Sequence, residues 1–182
     1  MKARRVVTGH SGGKAVCVSD GPSPKGKIYT SVPGQASTLL WATPAVPTLP
    51  NQSEAVSTKT GYVPGPGETR FMFVTFPPDS VMMSPSFDPA AVGAEFMEHM
   101  PELASKFEMD NPGMHTTDTV DYGIVLDGEV WLELDDGKQI HLQQHDVIVQ
   151  NGTRHAWRNK SQKPVKMAFV LIGANRKGSG VP

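Results

Sequence analysis

Three side chains in the C-terminal half of the 182-residue chain have the types and spacing to do chemistry together: His115, Asp121 and His155. Side chains two apart on an extended strand share a face, so His115, Thr117, Thr119, Asp121 and Gly123 all point the same way. If that face lines an interior, a histidine and a carboxylate look inward from one strand, and His155 arrives from a neighbouring one. An isolated buried carboxylate is expensive unless it is paired or binds a cation. Two imidazoles and a carboxylate suit a divalent ion, Zn, Fe or Mn, with positions left open for substrate. The alternative is a hydrogen-bonded core pair of Asp121 and His155 without metal. Thr117 and Trp157 share faces with these residues and are candidate substrate contacts.

The elements needed to position them are strands. Gly (18) and Pro (16) are abundant, and such punctuation suits short strands joined by tight turns. From residue 115 onward, candidate strands lie at 115–126, 129–134, 138–142, 146–150, 155–159 and 165–172, with turn signals at Asp127-Gly128, Asp135-Asp136-Gly137 and Asn151-Gly152. Six closely spaced strands predict an antiparallel barrel or jelly roll, which avoids exposed edges. Upstream, Thr69–Phe76 reads as a further strand, and 4–8 with 14–18 as a hairpin. Residues 22–67 read as a long irregular arm whose one strand-like stretch is 37–43. Domain organisation is thus expected as one structural domain, with residues 1–68 packing on a barrel of 69–182. A single helical region begins where Asp88 caps and Pro89 takes the first helical position, and Pro101 divides it. It is read as packed on the barrel, with a movable lid as the alternative.

Two stretches carry a family resemblance. Gly113-Met-His115-Thr-Thr-Asp-Thr-Val-Asp121-Tyr-Gly-Ile-Val-Leu-Asp-Gly128 resembles the first motif of the cupin superfamily, and His145-Asp-Val-Ile-Val-Gln-Asn-Gly152-Thr-Arg-His155-Ala-Trp-Arg-Asn159 resembles the second. The resemblance implies a cupin-type all-β barrel, a double-stranded β-helix, with His115, Asp121 and His155 as metal ligands. The pattern departs from the family where Thr117 replaces a second histidine, Asp121 a glutamate, and His145 and Gln150 the usual glycine and proline. The chain also looks like small single-cupin proteins of bacteria and fungi, some associated with polyketide aldehyde pathways. That likeness implies small-molecule metabolism without defining a reaction; a metal at the three residues that polarises a carbonyl or carboxylate oxygen leads to the first expectation, a metal-dependent enzyme performing dehydration, decarboxylation or isomerisation on a small organic acid, ketone or polyketide intermediate. An Fe(II) dioxygenase using the same three ligands and a non-catalytic ligand-binding cupin are the alternatives.

Composition bears on partners. A net charge of −1 with scattered Lys and Arg gives no attraction for nucleic acid. No apolar run approaches the roughly 20 residues that span a bilayer, and the basic start is not followed by a signal-like apolar stretch. One cysteine, Cys17, leaves no intrachain disulfide and fits a cytoplasmic setting; it is expected to pack as a small hydrophobe. The extended N-terminal region exceeds what one barrel needs, which predicts a homodimer with N-terminal strands at the interface. His141 and His145 are expected at the surface, His10 in a hairpin turn, His99 on the helix, and Arg154 and Arg158 as solvated surface arginines.

Overall fold

The computed structural model describes residues 3–51 and 54–177. It is mostly β, as expected, and its strands are antiparallel throughout. The N-terminal hairpin is β1 (Arg4–Ser11) and β2 (Lys14–Pro22), a two-stranded sheet of its own. A six-stranded sheet has the order β3 (Lys25–Ile28), β4 (Ala36–Thr43), β5 (Thr69–Phe76), β11 (Val165–Gly173), β6 (Thr119–Asp127), β9 (Val147–Asn151). A three-stranded sheet has the order β10 (Ala156–Arg158), β7 (Glu129–Glu133), β8 (Gln139–Gln143).

The inward residues of both sheets form the core. Val125, Val130, Leu132, Val165 and Met167 are fully or almost fully buried, as alternation on a half-buried strand requires. Gly123 is needed inside: a Cβ there would stand 2.7 Å from the Ile148 side chain and 3.2 Å from the Phe169 ring. At the Asn151-Gly152 turn, Gly152 takes φ 62°, a left-handed conformation that suits glycine.

The helical region follows the reading from sequence. Asp88 Oδ1 accepts from the backbone N–H groups of Ala90 (2.9 Å) and Ala91 (3.3 Å) and so caps α1 (Pro89–His99). Pro101 opens the separate short α2 (Pro101–Ala104). Phe96 meets Tyr29 edge-on at 5.0 Å and, with Leu103, packs against the core, as the packed arrangement expects.

Three features differ from expectation. Residues 25–28 of the supposed irregular arm are an edge strand, and β4 is an interior member of the large sheet, so Tyr29, Leu39, Val56 and Tyr62 all join the core. Lys-Gly-Lys-Ile carries no apolar alternation to announce a strand; pairing with β4 makes it one. Cys17 is exposed rather than packed, because the hairpin stands apart from the core. The strand expected over 115–126 begins only at Thr119: Gly173 pairs with Thr119 at the end of β11, and upstream of it the chain leaves the large sheet. His115 instead forms an antiparallel bridge to His155, next to β10 of the small sheet.

Candidate functional site

That change of sheet brings His115 and His155 side by side. Each backbone N–H donates to the other's carbonyl at 3.0 Å, and the two rings lie 4.4 Å apart between centroids at 50°. Each imidazole is also held by the chain two residues before it: His115 Nδ1 is 3.0 Å from Gly113 O, and His155 Nδ1 is 2.9 Å from Thr153 O. A carbonyl oxygen only accepts, so each Nδ1 carries the proton and each Nε2 keeps its lone pair. Burial, and then the neighbouring His115, push the His155 imidazole down to about 4. Burial also lowers His115. Both rings are therefore neutral bases at pH 7. Phe107 stands 4.9 Å from the His115 ring and Trp157 meets His155 edge-on at 5.6 Å, so the pair sits within an aromatic wall.

Asp121 faces the same interior from the large sheet. Burial raises its carboxyl to about 6, against a smaller opposing effect from the Thr119 hydroxyl bonded to it. Thr119 in turn shares a 2.7 Å hydrogen bond with Thr117, and both hydroxyls are buried. Asp121 Oδ1 has no hydrogen-bond partner. Directly across the ladder on β9 stands Gln150, whose Oε1 accepts from the Thr153 hydroxyl at 3.0 Å while its Nε2 is buried without a partner. An unmet acceptor and an unmet donor thus occupy opposed positions on neighbouring strands. Each such group costs about 1–3 kcal/mol, and buried polar groups are otherwise nearly always satisfied.

All five expected site residues, His115, Thr117, Asp121, His155 and Trp157, belong to this interior, but the expected metal triad is not assembled. Among the described residues no three His, Cys, Asp or Glu side chains stand together closely enough to hold an ion. The physical reason is the change of sheet after residue 118: His115 goes with His155, whereas Asp121 pairs with Leu171 and Gln150. Nor do His155 and Asp121 form the alternative hydrogen-bonded pair, since His155 bonds Thr153 and Asp121 Oδ1 bonds nothing. The donor chemistry of the two Nε2 lone pairs suits a divalent metal.

Gln150 is the site residue that the sequence reading passed over as a mere departure from a motif. Its signal was available, since Gln150 shares the inward phase of Ile148. The remaining candidates lie elsewhere. His141 stacks on Trp131 (4.3 Å, 7°) and meets Glu129 at 2.8 Å on the surface; His145 is exposed in the turn before β9. His10 lies within β1 beside an open recess of about 510 Å³ that shares no residue with the histidine pair. His99 ends α1, edge-on to Tyr29 at 6.5 Å. The two arginines are paired rather than merely solvated: Arg154 with Glu108 (2.6 Å) and Asp135 (2.7 Å), Arg158 with Glu133.

Residues 107–172, which hold both histidines, Asp121 and Gln150, match the family model of the cupin domain. These residues form a cupin domain. This cupin is 50% identical over 62 residues to the phomopsin biosynthesis cluster proteins C' and D of Diaporthe leptostromiformis, 34% of this chain and 33% of each relative. It is 47% identical over 60 residues to the oryzines biosynthesis cluster protein J of Aspergillus oryzae, 33% of this chain and 34% of that one. It is 40% identical over 62 residues to the cupin-domain-containing oxidoreductase virC of Hypocrea virens, 32% of either chain. The matches therefore span about a third of those relatives' length. Among solved structures, a putative ethanolamine utilization protein Q from Salmonella typhimurium aligns over 96% of this cupin and 99% of its own chain, with 12% identity and a TM-score of 0.42. No helix among the described residues is long and apolar enough to cross a membrane.

Proposed function

We propose that this cupin is an enzyme of small-molecule biosynthesis that moves a proton on an oxygenated substrate, an organic acid, ketone or polyketide-type intermediate, in an isomerisation or dehydration. The observation that carries the reading is the opposed pair of unmet groups, Asp121 Oδ1 and Gln150 Nε2. A carboxylate kept largely free of water is a strong base toward a carbon acid, and a carboxyl raised to about 6 releases its proton close to neutral pH, where general bases work best. The Gln150 amide N–H is placed to donate to a carbonyl oxygen as negative charge develops there. The two neutral imidazoles accept from substrate hydroxyls at Nε2. The setting in small-molecule biosynthesis is supported by the names of the relatives, which place them in fungal biosynthesis clusters.

The test is α-proton exchange in D₂O, followed by NMR, on pyruvate, acetoacetate and dihydroxyacetone. Catalysed exchange is expected to fall by about 10²–10⁴-fold in Asp121→Asn, to weaken in Gln150→Leu and to persist in His141→Ala. Absence of exchange with every substrate, or exchange that survives Asp121→Asn, overturns the reading.

A metal-dependent oxidoreductase, the Fe(II) dioxygenase being its O₂-using form, is the second reading. It is favoured by the two anchored Nδ1 protons, the arrangement usual for metal-bound histidines, and by the oxidoreductase names of relatives such as virC. In it His115 and His155 would hold the ion, with Asp121 as the third ligand. Elemental analysis of protein purified without chelator is expected to find about one equivalent, lost in His115→Ala and in His155→Ala. Metal retained by His155→Ala sinks this reading.

The working unit in our reading is a homodimer, because the β1–β2 hairpin forms no sheet with the barrel and a two-stranded hairpin alone is marginally stable in water.

A further inference from the structure

The corner at Asp118, where the chain passes between the two sheets, is the joint on which the site depends. His115 and Thr117 stand on one side of it and Thr119 and Asp121 on the other, and the turn that leads to His155 packs beside it. A third segment meets them there. Beyond β11 the chain lies along the corner, and the Ala174 N–H donates to Asp118 O at 2.8 Å. Two residues later the Arg176 guanidinium reaches both the corner and the turn. Its Nε pairs with the Asp118 carboxylate, and its Nη2 donates to Thr117 O at 3.1 Å and to Gly152 O at 3.0 Å.

These contacts tie together the two stretches that hold the site groups. Thr117 lies two residues after His115 and shares a hydroxyl bond with Thr119. Gly152 lies between Gln150 and Thr153, whose carbonyl takes the His155 Nδ1 proton. The fit at Gly152 is close: a Cβ there would stand 3.1 Å from Arg176 Nη2, 3.4 Å from Thr117 O and 3.5 Å from Thr119 O. A guanidinium suits the task, since its rigid planar fork holds a carboxylate and carbonyls in one set geometry, which a flexible ammonium does not. As a source of global stability the ion pair counts for little, because the side chains of Arg176 and Asp118 are 48% and 52% exposed and water screens such pairs. What it fixes is position. Arg176 also lies beyond residues 107–172 that match the cupin domain, so the motifs do not point to it.

We infer that Arg176 is a positioning residue for this site: by clamping Thr117 and the Gly152 turn together it fixes the His115–His155 pair relative to Asp121 and Gln150. The imidazoles belong beside the small sheet and the carboxylate to the large one. A substrate held by the imidazoles therefore meets Asp121 at a separation that this joint sets, and a misplacement of about 1 Å costs on the order of 10²-fold in rate. The clamp rests on the hydrogen bonds above, and its catalytic consequence on the proton-transfer reading.

Two measurements on the full chain test it. Without substrate, amide hydrogen exchange followed by NMR is expected to be about tenfold faster in Arg176→Ala at the reciprocally bonded His115 and His155 N–H groups, with the β5–β11 ladder unchanged. In α-proton exchange on pyruvate, acetoacetate and dihydroxyacetone, Arg176→Ala is expected to lower kcat about 10- to 100-fold, with KM within about threefold of the wild type. Arg176→Lys is expected to lie between the two, and carries both comparisons should Arg176→Ala fail to fold. Ethylguanidinium, which fits the half-exposed gap left in Arg176→Ala, is expected to restore part of the lost rate where ethylammonium does not. Arg4→Ala, which breaks the ion pair with Asp20 in the hairpin, is expected to match the wild type in both measurements. Unchanged protection at the histidine pair, a loss spread equally over the β5–β11 ladder, or the same response in Arg4→Ala overturns the clamp. A loss of kcat that neither lysine nor ethylguanidinium mends, or one matched by a rise in KM, overturns the positioning role. A wild type without α-proton exchange overturns the proton-transfer reading alone, and the amide measurement then decides the clamp.

Discussion

Asp121→Asn is expected to give a folded barrel that is more stable than the wild type at pH 7 and indistinguishable from it near pH 3. The carboxyl titrates at 3.8 in its ordinary setting and at about 6 in the fold. A folded value above the unfolded one means that the native state holds the proton more tightly. Ionisation therefore works against the fold, not at all below 3.8, increasingly between 3.8 and about 6, and fully above. The gap is worth about 3 kcal/mol at neutral pH. His155 runs the other way: its ordinary value is 6.5 and its folded value about 4. It therefore contributes a similar amount above pH 6.5, all of it lost as pH falls to 4. In the wild type the two effects oppose each other over pH 4–6 and leave a shallow profile. Removing the carboxylate leaves the histidine effect alone, so urea unfolding of Asp121→Asn should show stability climbing from pH 4 to 6.5. At pH 7 the gain over the wild type is expected to be about 1–3 kcal/mol, since the amide oxygen is still unpaired. A variant less stable than the wild type at pH 7 would mean that Asp121 is not the buried carboxyl with one unpaired oxygen described here. Gain of stability with loss of catalysis is the pattern expected where an active site is held at the expense of the fold.

Much of this site was legible before any coordinates, and the part that was not has a definite cause. Period-two spacing correctly turns His115, Thr117, Thr119 and Asp121 inward, and all four are buried. It says nothing about which sheet carries them, because both sheets line the same interior and the alternation passes through the corner undisturbed. The departure from the large sheet upstream of Thr119, which separates His115 from Asp121, is decided by where β11 ends. The N-terminal half was harder for a different reason. Lys25–Ile28 is an edge strand whose lysines take the half-buried phase, with Lys25 Nζ 4.8 Å over the Tyr62 ring, while Ile28 is exposed, so the hydrophobic pattern runs against the strand. By contrast, the run Phe71-Met-Phe-Val74 is apolar on both faces, and a strand of that kind is covered on both sides.

The largest loss of stability from a single surface-independent contact is expected at Asn159, the last residue of the second motif. It is almost fully buried and lies in the connection between β10 and β11. Its side-chain N–H groups donate to Phe76 O (3.1 Å) and Lys163 O (2.8 Å), and its Oδ1 accepts from the Ser161 N–H (3.1 Å) and hydroxyl (2.7 Å). The end of β5 and the approach to β11 are thereby fixed to the loop beyond β10, the strand that follows His155. Asn159→Ala leaves Phe76 O and the Ser161 N–H without these partners, while Lys163 O keeps the Ser161 hydroxyl at 2.9 Å and the backbone bonds from Asn159 to Asp79 persist. Unmet buried groups at about 1–3 kcal/mol each, partly relieved by loop adjustment, give an expected loss of about 3 kcal/mol. For a chain of this size that is a fall in Tm of about 6–12 °C. Asn159→Asp keeps both Oδ1 contacts but turns an acceptor toward Phe76 O and Lys163 O, so it should lose at least as much. The neighbouring Lys160→Ala, on an exposed side chain, should stay within about 0.5 kcal/mol. Urea unfolding of the three variants decides the matter: an Asn159→Ala loss below about 1 kcal/mol, or one matched by Lys160→Ala, would show that the loop closes as well without the amide.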